Sequence, residues 1–325
     1  MTFVEDLSRR AMIATAIAGG GAFALQPAAS KAQAGPKVWR DLDQNALDEA
    51  YDQAKYALNM EQLLKRYDSE SDRTRRTLGQ PKRLKYGETA IEGIDLFATR
   101  RANAPMNVFI HGGAWTIMEA KDFAFPANMF SGAGAHFLAV DFTNVRETKG
   151  DLMPLARQVR NAIAWIYRNA ASFGGDANRL YISGHSSGGH LAAVAFVTNW
   201  VEDYGLPPDI IKGAVFASGM YDLRPVRLSS RSKYVAFTDE IEHALSPQRH
   251  LNRVVQPMVV AYGTGETPEF QRQARDFVAL ARGSGKSAEL LVAENYNHFE
   301  IIETLANPYG VLGHAALTQM KLQRS

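Results

Sequence analysis

Cysteine is absent from the 325-residue chain. That absence excludes disulfides, thiol nucleophiles and cysteine-ligated metals. A charge of one sign is missing as well. The 36 basic residues nearly balance the 34 acidic ones, and a net charge of +2 gives no electrostatic footprint for nucleic acid. The run Ser71–Arg76 (SDRTRR) reads as a solvated helix face rather than a binding patch. No stretch reaches the ~18 uninterrupted apolar residues that a membrane span needs. There is no internal repeat and no low-complexity linker. What is present is the composition of an ordinary globular protein, 46% hydrophobic and 22% charged, in a length that suits one large domain.

The first 34 residues differ from the rest. Ser8-Arg9-Arg10 precedes a mild apolar stretch from Ala11 to Leu25 that contains Gly19-Gly20-Gly21. Pro27 and a small-residue site at Ala32-Gln33-Ala34 follow. This order of charge, apolar core and small residues predicts an export signal of twin-arginine type and a periplasmic destination. The alternative is an unstructured or amphipathic N-terminus on a cytoplasmic protein.

From Asp41 to about Arg76 apolar residues recur at helical spacing (Leu47, Tyr51, Tyr56, Leu63, Leu64). Short strand-like segments then alternate with helical ones. Strands are expected near 84–86, 94–98, 108–110, 137–142, 180–183, 213–217, 258–262 and 290–293. Helices are expected over 155–171, 188–200 and 270–282. Alternation of this kind predicts an α/β fold with a mostly parallel central sheet and helices on both faces. Residues 221–254 interrupt the alternation with short helical and polar pieces. They read either as an insertion over the carboxyl ends of the strands or as a surface loop. Together with about 41–80 they are the expected contributors to a small helical cap on a single domain spanning 35–325.

The sharpest motif is Gly184-His185-Ser186-Ser187-Gly188, a G-x-S-x-G between an apolar strand and a helix that opens Gly188-Gly189-His190-Leu191. A strand, a sharp turn and a helix present the central hydroxyl on a strained corner, which makes Ser186 the candidate nucleophile. A serine needs a base. His298 follows the last expected strand, where that base belongs. His185 and His190 flank the serine and read as pocket-wall or packing residues. His136, His243, His250 and His314 lack supporting context. The acid belongs after the penultimate strand, where the loop reads Thr264-Gly265-Glu266-Thr267-Pro268-Glu269. Glu266 is the candidate, since a carboxylate there would fix the histidine tautomer. Glu269 is the alternative, and its place at a helix start also has a purely structural explanation.

Upstream, Val108-Phe109-Ile110-His111-Gly112-Gly113-Ala114-Trp115 is an apolar strand opening into two glycines. Elements of this H-G-G type bring backbone N–H groups to a developing oxyanion. Gly112, Gly113 and Ser187 are the candidate donors, with His111 orienting the loop. Trp115, His185 and Tyr221 are candidate pocket residues, although the two larger aromatics read equally well as core.

These motifs, with Ser218–Pro225 (SGMYDLRP), Gly265–Gln273 (GETPEFQRQ) and Asn297–Glu303 (NHFEIIE), resemble the kynurenine formamidase (arylformamidase) branch of the α/β-hydrolases. That branch adjoins the hormone-sensitive-lipase-like carboxylesterases. The resemblance extends from about Tyr51 to Ala316. It implies an α/β-hydrolase fold, a Ser186–His298–Glu266 triad, and a small-molecule ester or amide as substrate. It implies no metal, no organic cofactor and no nucleic-acid partner, and it leaves a homodimer open. The branch usually carries aspartate where this chain has Glu266. Three functions follow as alternatives: an esterase or aryl-amide hydrolase, a dedicated N-formylkynurenine formamidase, and a non-catalytic ligand-binding relative.

Overall fold

Eight strands form one sheet in the order β1-β2-β4-β3-β5-β6-β7-β8. They are Lys82–Lys85 (β1), Gly93–Phe97 (β2), Ala104–Ile110 (β3), His136–Val140 (β4), Gly175–His185 (β5), Ala214–Ala217 (β6), Met258–Gly263 (β7) and Ala288–Ala293 (β8). The computed structural model describes residues 35–322, and from Pro36 onward the chain is one compact unit. The export-type segment of residues 1–34 lies outside the described residues. Pairings β1/β2 and β2/β4 are antiparallel, and the pairings from β4 through β8 are parallel. A mostly parallel sheet buried on both faces needs strands that are apolar throughout. Accordingly β3, β4, β6 and β7 are buried along their whole length.

The helices are Gln44–Ala50 (α1), Met60–Leu78 (α2), Ala127–Gly132 (α3), Met153–Asn169 (α4), Ser187–Phe196 (α5), Trp200–Tyr204 (α6), Leu223–Leu228 (α7), Asp239–Ala244 (α8), Pro268–Gly283 (α9) and Val311–Gln319 (α10). Local chemistry sets several ends. Asp43 accepts the Ala46 N–H at 2.9 Å and caps α1. Pro154 and Pro268 occupy the first turns of α4 and α9, where a missing N–H leaves no bond unmade. Every residue of α5 is buried, so this helix lies inside the molecule. Burying a side chain such as Leu191 there stabilises by about 1.5–3 kcal/mol.

The helical pattern expected from Asp41 to Arg76 is not continuous. It divides into α1, a 3₁₀ turn at Gln53–Tyr56 and α2. Asp52 explains the break, because its side chain accepts the Ala54 N–H at 3.1 Å and competes with helical bonding. The helix expected over 188–200 likewise stops at Phe196. Residues 221–254 carry α7 and α8 with 3₁₀ turns at Ser230–Lys233 and Pro247–Arg253, and no strand.

Candidate active site

The carboxyl ends of β3, β5, β6 and β7 lie side by side, because these strands are neighbours in the parallel sheet. Open α/β sheets bind ligands at such ends. Inside the sheet, the Ser183 hydroxyl donates to Asn107 Oδ1 at 2.7 Å in full burial and locks β5 to β3. The elbow after β5 and the glycine loop after β3 therefore leave the sheet together.

Ser186 turns the corner with φ 57° and ψ −127°, a left-handed φ that a non-glycine residue adopts only when its surroundings hold it there. Its N–H bonds to Ala217 O at 2.9 Å. Close packing excludes side chains around it. A Cβ on Gly188 would lie 2.2 Å from the carbonyl oxygens of Ile110 and His111. Gly188 thus reflects contact with the end of β3, whereas a Cβ on Gly184 would lie 2.5 Å from Gly188 O and 2.9 Å from Ala192 Cβ of α5.

The Ser186 hydroxyl faces Nε2 of His298 at 2.8 Å. His298 Nδ1 faces Glu266 Oε2 at 3.1 Å. With the proton on Nδ1, Ser186 donates to the imidazole and the imidazole donates to the carboxylate. Glu266 is buried, and its other oxygen accepts from the Gly263 N–H at 2.7 Å and the Ser218 hydroxyl at 2.6 Å. Three donors satisfy a carboxylate that would otherwise be costly to bury. Glu269 does not enter this chain of bonds. It bonds to Arg272, and the Tyr51 hydroxyl donates to it at 3.1 Å. The structure brings Ser186, His298 and Glu266 together and leaves Glu269 outside.

The glycine loop passes beside the serine. A Cβ on Gly112 would come within 3.2 Å of Ser186 Cβ, and Gly113 has φ 107°. Ser187 is the first residue of α5. Its N–H therefore has no carbonyl one turn upstream to bond and sits at the positive end of the helix dipole. His111 Nδ1 donates to Gly112 O at 2.9 Å, and its ring stacks on Phe142 at 4.4 Å. That agrees with an orienting role. Trp115 N–H donates to the Ser187 hydroxyl at 3.2 Å, which ties the far side of the loop to the elbow.

Two of the expected pocket residues belong elsewhere. Tyr221 is fully buried and stacks on Phe277 at 4.3 Å, so it is part of the core beneath α9. His185 lies behind His298. Its Nε2 donates to the backbone carbonyl of His298 at 2.8 Å, with the two rings 4.7 Å apart. Burial first, and the neighbouring imidazole second, hold His185 well below the usual histidine range and keep it neutral. His190 is another strut. It donates to Leu245 O at 2.8 Å, and burial pushes its pKa down to about 4. Trp115 stays beside the elbow, with its ring edge-on to His190 at 5.3 Å. His136 is buried in β4, where Nδ1 accepts the Thr99 N–H.

Sequence reading missed the residues that hold the acid and base loops. The 3₁₀ segment after α1 grips the acid loop: Gln53 exchanges two hydrogen bonds with Thr267, whose hydroxyl donates to Ala50 O. Asn59 and α2 grip the base loop. Asn59 bonds to both Glu300 and Asn297, the Tyr67 hydroxyl donates to Phe299 O, and Arg66 pairs with Glu303. The ring of Phe270, itself packed on Tyr51, lies edge-on to His298 at 5.2 Å.

A model of the family described as BD-FAE matches residues 94–265, just over half of the chain. The chain is 28% identical to a kynurenine formamidase from Salmo salar, over 88% of this chain and 97% of that protein. It is 26% identical to esterase LipC of Mycobacterium tuberculosis, over 63% of this chain and 56% of that one. A crystal structure from Silicibacter sp. TM1040, provisionally described as a thioesterase, superposes with TM-score 0.71 and 26% identity, covering 81% of this chain and 95% of the other.

Proposed function

The chain belongs to the BD-FAE family, and on that premise we propose that this α/β-hydrolase cleaves small carboxylic esters or aryl amides through an acyl-enzyme on Ser186. Hydrolase activity of esterase or formamidase type follows from its relatives. The observation that carries the finer reading is the unbroken run of hydrogen bonds from the Ser186 hydroxyl through His298 to Glu266, 2.8 and 3.1 Å long. Ser186 attacks the carbonyl as His298 takes its proton, and Glu266 stabilises the imidazolium. The N–H groups of Gly112, Gly113 and Ser187 receive the oxyanion, each worth about 3 kcal/mol in the transition state. His298 then protonates the leaving alcohol or amine, and activates the water that releases the acid. The segments 41–80 and 221–254 act as the cap in this reading.

Ser186→Ala should lower kcat for 4-nitrophenyl acetate by about 10,000-fold or more, and a serine-directed phosphonate should add its mass to Ser186 alone. A variant that keeps near-normal turnover would overturn the reading. N-formylkynurenine is the second reading, favoured by alignment over nearly the whole of the Salmo salar formamidase. Side-by-side kcat/KM values for N-formylkynurenine and 4-nitrophenyl acetate separate the two. Export through residues 1–34 is also part of this proposal. Replacing Arg9 and Arg10 by lysine should hold the protein in the cytoplasm of a bacterial host.

A further inference from the structure

Arg231 is a half-buried cation without a counter-charge. It lies in the 3₁₀ turn after α7, within the stretch that breaks the strand–helix alternation. Its Nη1 donates to the Tyr234 hydroxyl at 2.5 Å and its Nη2 to Tyr51 O at 3.2 Å. Neither acceptor is a carboxylate. Among the described residues no carboxylate stands within 4.0 Å of the guanidinium, and its buried Nε has no hydrogen-bond partner. A guanidinium has five N–H donors in a planar fork, so most of its donating capacity is unspent. Buried charges are ordinarily paired.

The position of Arg231 relates it to the catalytic groups from two sides. Its guanidinium carbon lies 5.7 Å from the centroid of the Trp115 ring, and Trp115 N–H bonds to Ser187, the residue after the nucleophile. On the other side it bonds to Tyr51, which packs on Phe270, which packs on His298. The indole Nε1 of Trp115 is a second buried donor with no partner among the described residues. The unpartnered Nε, the second N–H of each Nη and the Trp115 indole N–H are donors left over on two residues in contact, and they ask for an acceptor that carries negative charge. Two oxygens in one plane answer the fork best.

We infer that Arg231 is a specificity residue that receives a carboxylate carried by the substrate, so that the enzyme prefers anionic esters or amides over their neutral counterparts. This rests on the hydrolase reading above and narrows it to one substrate class. Partial exposure of Arg231 leaves the anion a route in, and the buried Trp115 ring under the guanidinium backs the cation from below. Tyr234 and the Tyr51 carbonyl hold the fork in place before the substrate arrives.

The test uses 3- and 4-acetoxybenzoate and their methyl esters, which replace the carboxylate by an uncharged group. Acetyl release is followed, and each ratio is divided by that of the uncatalysed hydroxide reaction to remove the difference in leaving group. In the full-length enzyme, kcat/KM for acetyl release should favour the acid of at least one isomer pair by tenfold or more. Arg231→Met should collapse that ratio by at least tenfold, Arg231→Gln should do the same, and Arg231→Lys should fall between. A wild-type ratio at or below one for both isomers overturns the inference. So does an unchanged ratio in the variants, since a merely structural loss lowers both members of a pair together. Binding to Ser186→Ala, which needs no turnover, separates this idea from the hydrolase reading. Calorimetric binding should be measured for both 3- and 4-acetoxybenzoate, and at least one should weaken at least tenfold when Arg231→Met is added. Equal binding, or none at all, overturns the carboxylate site even if the enzyme is an esterase. If no ester is turned over but the tenfold loss of binding is seen, the site stands and the hydrolase reading falls.

Discussion

Ser218 donates its hydroxyl to Glu266 at 2.6 Å and so joins the end of β6 to the loop after β7. Ser218 has φ 56° and its N–H bonds to Ala261 O at 2.8 Å. The constrained backbone aims the hydroxyl at the carboxylate. Ser218→Ala leaves Glu266 with the Gly263 N–H and His298 alone. A hydrogen bond to a charged group contributes about 1.5–3 kcal/mol, so kcat for 4-nitrophenyl acetate should fall roughly tenfold or more. An unchanged kcat would remove Ser218 from the machinery.

The two glutamates of the acid loop should behave in opposite ways. Glu266→Gln should lower kcat by about 10,000-fold, with little change in melting temperature. Glu269→Gln should keep most of the activity and lose stability, because Arg272 would keep a buried charge with a weakened set of partners. Breaking a buried pair costs about 3–5 kcal/mol, and the remaining Asp276 partner places the expected loss at or below the lower end. Thermal unfolding beside steady-state kinetics checks both. A Glu269 variant that is stable and inactive would reverse the assignment.

Much of this site is legible in the sequence, because each element sits in one short motif next to one strand. The proposed nucleophile, the glycine pair, the proposed acid and the proposed base each need only a local pattern and a place in strand order. Ser218 and Asn59 do not work that way. Ser218 acts on a carboxylate 48 positions away, and Asn59 on a loop 241 positions away. No periodicity connects such residues. Tyr221 and His185 read as pocket residues because they adjoin motifs, yet burial depends on what packs over them. The break between α1 and α2 was hidden because apolar spacing continues across it while the Asp52 side chain ends the helix.

Glycine replacements should separate fold from catalysis. Gly188→Ala sets a methyl 2.2 Å from two backbone oxygens, those of Ile110 and His111, and neither the end of β3 nor the buried helix α5 can move aside cheaply. Soluble yield and melting temperature should both drop. Gly112→Ala meets Ser186 Cβ at 3.2 Å and His185 O at 3.1 Å, a smaller overlap directed at the reacting serine. Its expected signature is a fall in kcat of about 100-fold, as for loss of one oxyanion donor, in a protein that still folds. Equal effects of the two replacements on melting temperature would count against this division.

Acid should weaken the fold through His190. Its pKa is about 4 in the folded chain, against the usual 6.5, so the unfolded chain binds the extra proton between those values. Stability contributed by neutral His190 is complete above pH 6.5 and is lost as pH falls toward 4. The difference corresponds to on the order of 3 kcal/mol. His190→Gln keeps a donor for Leu245 O and cannot titrate. Its melting temperature should vary less between pH 6.5 and 4 than that of the parent. Parallel curves would show that other groups govern the acid limb.

The clamps on the acid and base loops give the chain an order of assembly. Residues 50–67 precede the loops they hold, around Thr267 and Asn297–Glu303, by more than 200 positions and are made well before them. Contacts spanning more than 200 residues close late and slowly. A nascent or partly folded chain can form the elbow and its glycine loop while the acid and base are still unanchored. Hydrolytic power should then arrive late in folding, when residues 50–67 meet the acid and base loops, and Ser186 should stay inert until they do.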